Sequence, residues 1–262
     1  VEGSYVVNIN GIIIERLNQY KESEPIFVDE IVDGLEDHME AVYVALNRLK
    51  EKGILEKYKK GIYYKLRKTR FGTIGIDKSM LIEKAHVMRN NEIQGYITGP
   101  EIWNRWGLTT QIPNKTWIAK DIRQKKVDQD MKVVLIKARG EIKKTNVKAL
   151  QFLDVLEHID LIQDSMKEDI IEKLTRIFRT QFGAYDKIVA LEEVKKYKKT
   201  VRVLFGLIAE KVDIKDEYFL ALLKYFKDDV RKGKKIILTV NPDIFNGNRD
   251  WGNGYATAFN RK

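Results

Sequence analysis

Cysteine is absent from the 262 residues, and histidine occurs only as His38, His86 and His158. Disulfide frameworks and thiolate zinc sites are therefore excluded, and a reducing compartment is the simplest setting. The three histidines lie far apart in sequence. Metal catalysis would have to rest on carboxylates, and no metal site is expected. Long apolar runs are missing as well. Runs such as residues 11–14 and 201–205 fall far short of the roughly 20 residues that a membrane-spanning helix needs. Val1-Glu2-Gly3 lacks the basic start and apolar centre of a secretory leader. A cytoplasmic location is expected, with no membrane partner. Catalytic signatures are equally scarce. There is no Gly-x-Ser-x-Gly elbow and no His-Glu-x-x-His. Acid pairs such as Asp128/Asp130 and Asp228/Asp229 are common on surfaces. No catalytic residue and no cofactor is expected, and the chain reads as a non-enzyme.

What is present is an apolar content of 44% spread along the chain, which supports packed cores despite 33% charged residues. The formal net charge is +10 and the pI is near 9.4. A basic balance invites a polyanion, most commonly nucleic acid. Lysine-rich surfaces also serve solubility, so the distribution of charge matters more than its sum.

Residues 5–66 read as helix, helix, helix, strand, strand. Ile9, Ile12, Ile13, Leu17 and Tyr20 give the first helix, over about 7–19, one buried stripe. Pro25 breaks the chain, and residues 27–32 make a short second helix ended near Gly34. The third spans about 37–52, with Val42, Ala45, Leu46 and Leu49 inward and Gly53 as its stop. Residues 54–59 and 62–66 are strand-like, joined by the tight turn Lys60-Gly61. That order is the winged helix-turn-helix pattern, whose third helix enters the major groove and whose hairpin, the wing, lies on the backbone. Lys57, Lys59, Lys60, Lys65, Arg67, Lys68 and Arg70 fall in the wing or just after it, with no acid among them. Asp29, Glu30, Asp33, Glu36, Asp37 and Glu40 crowd the preceding segment. Tyr58, Tyr63 and Tyr64 interleave the wing bases and could reach phosphate oxygens. On the third helix the outward residues are Glu40, Ala41, Tyr43, Val44, Asn47 and Arg48. Asn47 and Arg48 are suited to bidentate base contacts. The candidate DNA-binding set is therefore Tyr43, Asn47, Arg48 and the seven wing cations. A solvated face or a protein-interaction module is the alternative reading of the same charges.

Three stretches carry a resemblance: residues 41–64, AVYVALNRLKEKGILEKYKKGIYY; residues 95–119, GYITGPEIWNRWGLTTQIPNKTWIA, the most specific; and residues 195–210, KKYKKTVRVLFGLIAE. Together, in order and spacing, they resemble the AbiEi antitoxin family. The resemblance implies a type IV toxin–antitoxin system. It implies a winged helix that binds operator repeats in double-stranded DNA and represses its own operon. It also implies a C-terminal part that counteracts a nucleotidyltransferase-like toxin encoded alongside, directly or functionally. The chain departs from the family at Tyr43 and Val44, where basic residues are frequent, which bears on the operator and on repression. A stand-alone winged-helix regulator with a C-terminal oligomerisation or effector domain is the other reading.

The expected fold class is α+β. A winged helix-turn-helix over residues 1–70 precedes a larger mixed α/β domain over 71–262, ending in helices. The latter divides into a mixed part, 71–145, and a mainly helical part, 146–262. Residues 69–75 read as a linker and 77–90 as a helix. Pro100 can open a short helix at its first position, with Trp103 and Trp106 one turn apart and Gly107 as its end. This aromatic pair is core, or else a docking patch. A strand pair bent at Pro113-Asn114 is expected over 109–119, and a buried strand over 131–137. Helices are expected over 147–159, 166–182, 185–197, 200–212 and 216–232, then a last strand over 236–240 and an irregular tail that needs docking to be ordered. Lys195, Lys196, Lys198, Lys199 and Arg202 form a second cationic cluster. It is either a toxin or partner contact or a solvated helix end, where cations suit the dipole.

Overall fold

The chain folds as two units, Val1–Ala85 and His86–Lys262, each around its own apolar core. The structure is a computed structural model, and it describes residues 8–212, 214–232, 236, 238–245 and 251.

In the first unit, α1 (Ile9–Asn18) starts where the Asn8 side chain accepts the Gly11 amide at 3.0 Å, as an N-cap residue does. Next come β1 (Ile26–Phe27), α2 (Val28–Ile31) and α3 (Met39–Glu51). Val42, Ala45, Leu46 and Leu49 are buried at helical spacing, facing Ile13, Leu17, Ile31 and Leu55 in one cluster. Gly53 ends α3 at φ +66, a left-handed position that costs glycine little. The α-helix begins two residues later than the periodicity predicts, because Glu36–His38 forms a 3-10 turn above buried Leu35.

The wing is β2 (Leu55–Lys59) against β3 (Ile62–Lys65), with a bulge between Lys57 and Lys59. β1 adds to the far edge of β3, giving the order β1-β3-β2. Three helices with this sheet form a winged helix-turn-helix. Residues 69–75 are not a plain linker. β4 (Arg67–Thr69) and β5 (Gly72–Ile74) form a second hairpin, which starts one residue after the wing ends. α4 (Lys78–Ile82) follows, with Asp77 accepting the amides of Ser79 and Met80. The first unit therefore runs past residue 70, to Ala85.

The expected helix over 77–90 stops early. A wider π-type turn, Glu83–Val87, leads to β6 (Met88–Arg89), paired with β7 (Glu92–Ile93). Asn90 and Asn91, at φ 49° and 63°, turn the chain between them, as residue types that tolerate the left-handed region can.

The second unit continues with β8 (Gly95–Thr98), α5 (Pro100–Arg105), β9 (Thr116–Lys120), β10 (Lys126–Asp128) and β11 (Val133–Lys137). Pro100 opens α5 and Gly107, at φ +65, follows its end. The sheet order is β10-β11-β9-β8, with β9 and β11 parallel and the other neighbours antiparallel. Within residues 109–119 the sole strand is β9. Asp164 accepts the Thr109 hydroxyl at 2.7 Å and the Thr110 amide at 3.0 Å, holding the stretch before β9 as a loop.

Five α-helices follow among the described residues: α6 (Val147–Glu157), α7 (Lys167–Gln181), α8 (Ala184–Glu193), α9 (Lys199–Lys211) and α10 (Glu217–Arg231). Phe152 and Phe178 (ring centroids 5.3 Å apart) and Phe205 (5.5 Å from Phe178) join α6, α7 and α9 in one core. Trp103 is buried in that core and Trp106 lies against it. From the tail, Trp251 is buried against Gly206, and its indole donates to Glu210 at 2.6 Å.

One acid sits inside this core. Asp154, on α6, accepts the hydroxyls of Tyr96 and Thr98 on one oxygen, both at 2.9 Å, and that of Tyr197 on the other at 2.7 Å. Three donors satisfy a carboxylate that would otherwise be costly to bury. Burial pushes its carboxyl above the usual aspartate range. The described residues of 236–240 form no strand. Instead, the Thr239 hydroxyl bonds Asp160, and the Asn241 amide donates to Glu168.

Candidate nucleic-acid interface

Charge in the first unit is strongly segregated. Residues 1–47 hold ten acids and two bases, and residues 48–85 hold twelve bases and four acids. The two halves cancel, so the chain's net +10 lies wholly in residues 86–262. The acidic half is partly engaged with itself and with one cation. Lys84 reaches Glu24 at 3.2 Å and Glu30 at 3.3 Å, lies 4.9 Å from the Tyr20 ring centre, and donates to the Pro25 carbonyl. Tyr20 donates its hydroxyl to Glu30, and burial, with Glu30, raises its pKa.

The basic half presents a different picture. Lys57 and Lys60 on the wing, and Arg67, Lys68 and Arg70 on the second hairpin, are all exposed. None of these five has an ion-pair or hydrogen-bond partner among the described residues. The other two expected wing cations are placed differently. Lys59 is half-buried with an interaction of its own. Lys65 points inward and donates to the Tyr20 carbonyl at 2.9 Å. It ties β3 to the end of α1 and is removed from the interface. Tyr63 is 3% exposed and pairs across the sheet with Ile26, so it is a core residue rather than a phosphate ligand. Tyr58 and Tyr64 are half-buried.

On α3 the outward face is the expected one. Glu40, Ala41, Tyr43, Val44, Asn47 and Arg48 are exposed, at 39% for Tyr43 and 49% for Val44. An exposed phenol and isopropyl are unusual on a solvated face. A valine there can meet a thymine methyl group, while Asn47 and Arg48 offer hydrogen bonds to purine edges. One residue that the sequence reading passed over stands out. Phe71, at the tip of the β4–β5 hairpin, is 97% exposed.

The C-terminal cluster is mostly committed within its own unit. Lys196 binds Glu193 at 2.7 Å, Lys198 lies 3.8 Å from Glu157, and Arg202 lies 3.7 Å from Asp229. Lys199 has an interaction of its own, and Lys195 is exposed without a partner among the described residues. A separate cationic region surrounds the sheet, where residues 115–148 carry eleven bases and four acids. Lys120, Lys137 and Arg139 line one cleft there with Gln94. Burial, with Arg89 nearby, holds the Lys120 ammonium below its usual range, while Arg139 bonds Glu157 through two nitrogens.

Residues 12–181 match the model of a family of unknown function, DUF6088. The chain belongs to that family. The DUF6088 match begins within α1 and ends with the last residue of α7. DUF6088 thus spans the winged helix and the sheet of the second unit together, and α8–α10 lie beyond it. No curated protein and no solved structure matches the chain. Among the described residues no group of three or more His, Asp or Glu could hold a metal ion, and no helix is long and apolar enough to cross a membrane.

Proposed function

We propose that the chain is a DNA-binding regulator that represses its own operon and counteracts a nucleotidyltransferase-like toxin encoded beside it. The DNA-binding half rests on one observation. Five solvent-facing cations without a partner among the described residues stand on two consecutive hairpins, next in sequence to a helix that turns Asn47 and Arg48 outward. Hairpin cations neutralise phosphates, which positions a protein on duplex DNA. Helix side chains then read base edges. The antitoxin half rests on the resemblance of residues 41–64, 95–119 and 195–210 to AbiEi-type antitoxins. It extends to capture of the toxin or to protection at the toxin's target.

The DNA half is tested by fluorescence anisotropy on a duplex covering the upstream region of the chain's own gene, at several salt concentrations. Reversing Lys57 and Lys60 to Glu is expected to lower the log–log salt slope by about 1.8, two phosphate contacts. An unchanged slope would remove the wing from the interface. The antitoxin half is tested by co-expression with the adjacent nucleotidyltransferase-like gene, and growth arrest that persists beside this protein rejects it. Tyr218, Leu220 and Tyr225, exposed on α10, favour a second reading, in which the C-terminal helices only self-associate. Sedimentation of the wild type against Tyr218→Ser/Tyr225→Ser, together with the absence of rescue, would select that reading.

A further inference from the structure

Phe71 and its hairpin have no role in the wing. Gly72, Thr73 and Ile74 are exposed along the whole of β5, so the strand has no buried face of its own. A two-stranded hairpin without a core is marginal in water. The turn is nevertheless built tightly. The Thr69 hydroxyl donates to the Gly72 carbonyl at 2.8 Å and accepts the Phe71 amide at 3.2 Å. Gly72 takes φ +119, which leaves Arg70 and Phe71 outside the left-handed region. This is the chemistry of a type I turn with a hydroxyl residue first and glycine fourth. It holds the phenyl ring out in solvent, flanked by Arg67, Lys68 and Arg70, none with a partner among the described residues. An apolar ring on a cationic tip suits a ligand that is anionic outside and apolar between its layers, and stacked base pairs in a phosphate frame are such a ligand.

We infer that the β4–β5 hairpin is a minor-groove wedge: Phe71 enters between base steps of duplex DNA, Arg70 lies in the groove, and Arg67 and Lys68 hold the flanking phosphates. The inference rests on the DNA-binding reading above and goes beyond it in naming a second groove, a residue and a deformation. A minor groove about 6 Å wide admits a two-residue turn but not a helix. Narrow minor grooves attract arginine, and apolar wedges such as Phe or Leu unstack and kink the duplex. The hairpin follows the wing after Leu66 alone, close enough in the chain to meet the same stretch of duplex as the wing.

The test uses the full chain and relaxed circular plasmid DNA, treated with a type I topoisomerase in low salt and then deproteinised. A wedge that unstacks base steps unwinds the duplex. The wild type is expected to shift the topoisomer distribution in proportion to the protein added. Phe71→Ala is expected to lose that shift at matched occupancy, followed by gel retardation of the same plasmid, while its affinity falls by roughly five- to a hundredfold. Phe71→Leu keeps an intermediate shift. Both changes lie on a fully exposed ring, so the fold is retained, and circular dichroism checks this. An equal topoisomer shift for wild type and Phe71→Ala would overturn the wedge and leave DNA binding standing. A wild type that does not retard plasmid at all would overturn the DNA reading and the wedge with it. Phe71-dependent binding to vesicles of phosphatidylglycerol and phosphatidylcholine, without a topoisomer shift, would assign the hairpin to a membrane surface and overturn the inference.

Discussion

Lys57, Lys60, Arg67, Lys68 and Arg70 in the first unit face solvent with no ion-pair partner among the described residues, whereas Lys196, Lys198 and Arg202 in the second each reach a carboxylate of their own unit. Total charge would point the other way, because the first unit is neutral overall and the second carries the entire excess. A cation bound to a neighbouring acid presents little field to a ligand, and an unpartnered row of cations presents a strong one. Segregation and pairing, rather than net charge, mark the surface that a polyanion would meet. The sharpest way to break this contrast is to reverse all five free cations to Glu. The expected loss of affinity for duplex DNA is on the order of a thousandfold at physiological salt, read by anisotropy. Binding that survives would move the anion to the second unit, where Lys120 and Lys137 share a cleft.

The second unit makes the opposite use of charge at its centre. Asp154 holds β8, α6 and the turn before α9 together through three hydroxyls. Asp154→Ala leaves the Tyr96 and Thr98 hydroxyls without their acceptor and Tyr197 with the Leu150 carbonyl at 3.5 Å, and is expected to cost about 3 kcal/mol of stability. Asp154→Asn, which keeps one acceptor oxygen, should cost about 1–2 kcal/mol. Urea unfolding followed by far-ultraviolet circular dichroism measures both, and an unchanged midpoint for the alanine variant would show that the network holds nothing.

The same carboxyl gives a pH signature. Its folded-state pKa is raised by burial, so the folded chain holds a proton that an unfolded aspartate, near about 3.9, releases. Stability from this group is therefore highest below the unfolded value and declines as pH rises through the folded one. Asp160 and Asp186, held below the usual range chiefly by hydrogen bonds from Lys167 and Lys148, act in the opposite sense. They add stability above the unfolded value that is lost as pH falls through the folded one. The difference in stability between wild type and Asp154→Asn should therefore shrink from pH 4 towards pH 8. A constant difference would show that the folded-state carboxyl ionises no higher than that of an unfolded aspartate.

Parts of both units were legible in the sequence, for physical reasons. Val42, Ala45, Leu46 and Leu49 announce α3, and apolar stripes announce α7, α8 and α10, because those helices bury one face each, while α6 and α9 are apolar on most sides and are buried accordingly. The two small hairpins were not legible, since β4–β5 and β6–β7 bury little and leave no alternation. Their signals are turn residues alone, Thr69 with Gly72 and Asn90 with Asn91. Tyr63 and Lys65 were misplaced because the pairing of β1 with β3, which covers Tyr63, comes from residues far away in the chain. For the candidate site, the free cations could be named from the sequence but not told apart from the paired ones. Partners such as Asp229 for Arg202 and Tyr20 for Lys65 lie 27 and 45 residues distant. Asp154, set between Leu153 and Val155 on a buried helix, was the one visible hint of the inner network.

Packing in the second unit offers a smaller effect. Gly206 on α9 faces the Trp251 ring so closely that a Cβ would overlap it. Gly206→Ala should displace Trp251 and its bond to Glu210 at an expected cost of about 1–3 kcal/mol. Emission of the tryptophans should shift red on that substitution, and an unmoved spectrum with unchanged stability would show that the tail is not seated there.

The smallest effect separates the two sets of cations. Lys195 is exposed and Lys198 pairs with Glu157 while remaining largely in solvent. Reversing both to Glu should leave duplex affinity within about twofold, because neither belongs to the free row on the hairpins. Glu157 is buried but keeps Arg139 as a partner, so loss of the exposed Lys198 from it should change stability by about 1 kcal/mol. The same double variant in co-expression with the toxin gene distinguishes the remaining roles of this stretch. Rescue that fails with folding and DNA binding intact would make residues 195–198 a partner contact. Rescue that persists would leave them the end of a helix and its neighbouring turn, with charge that serves the fold.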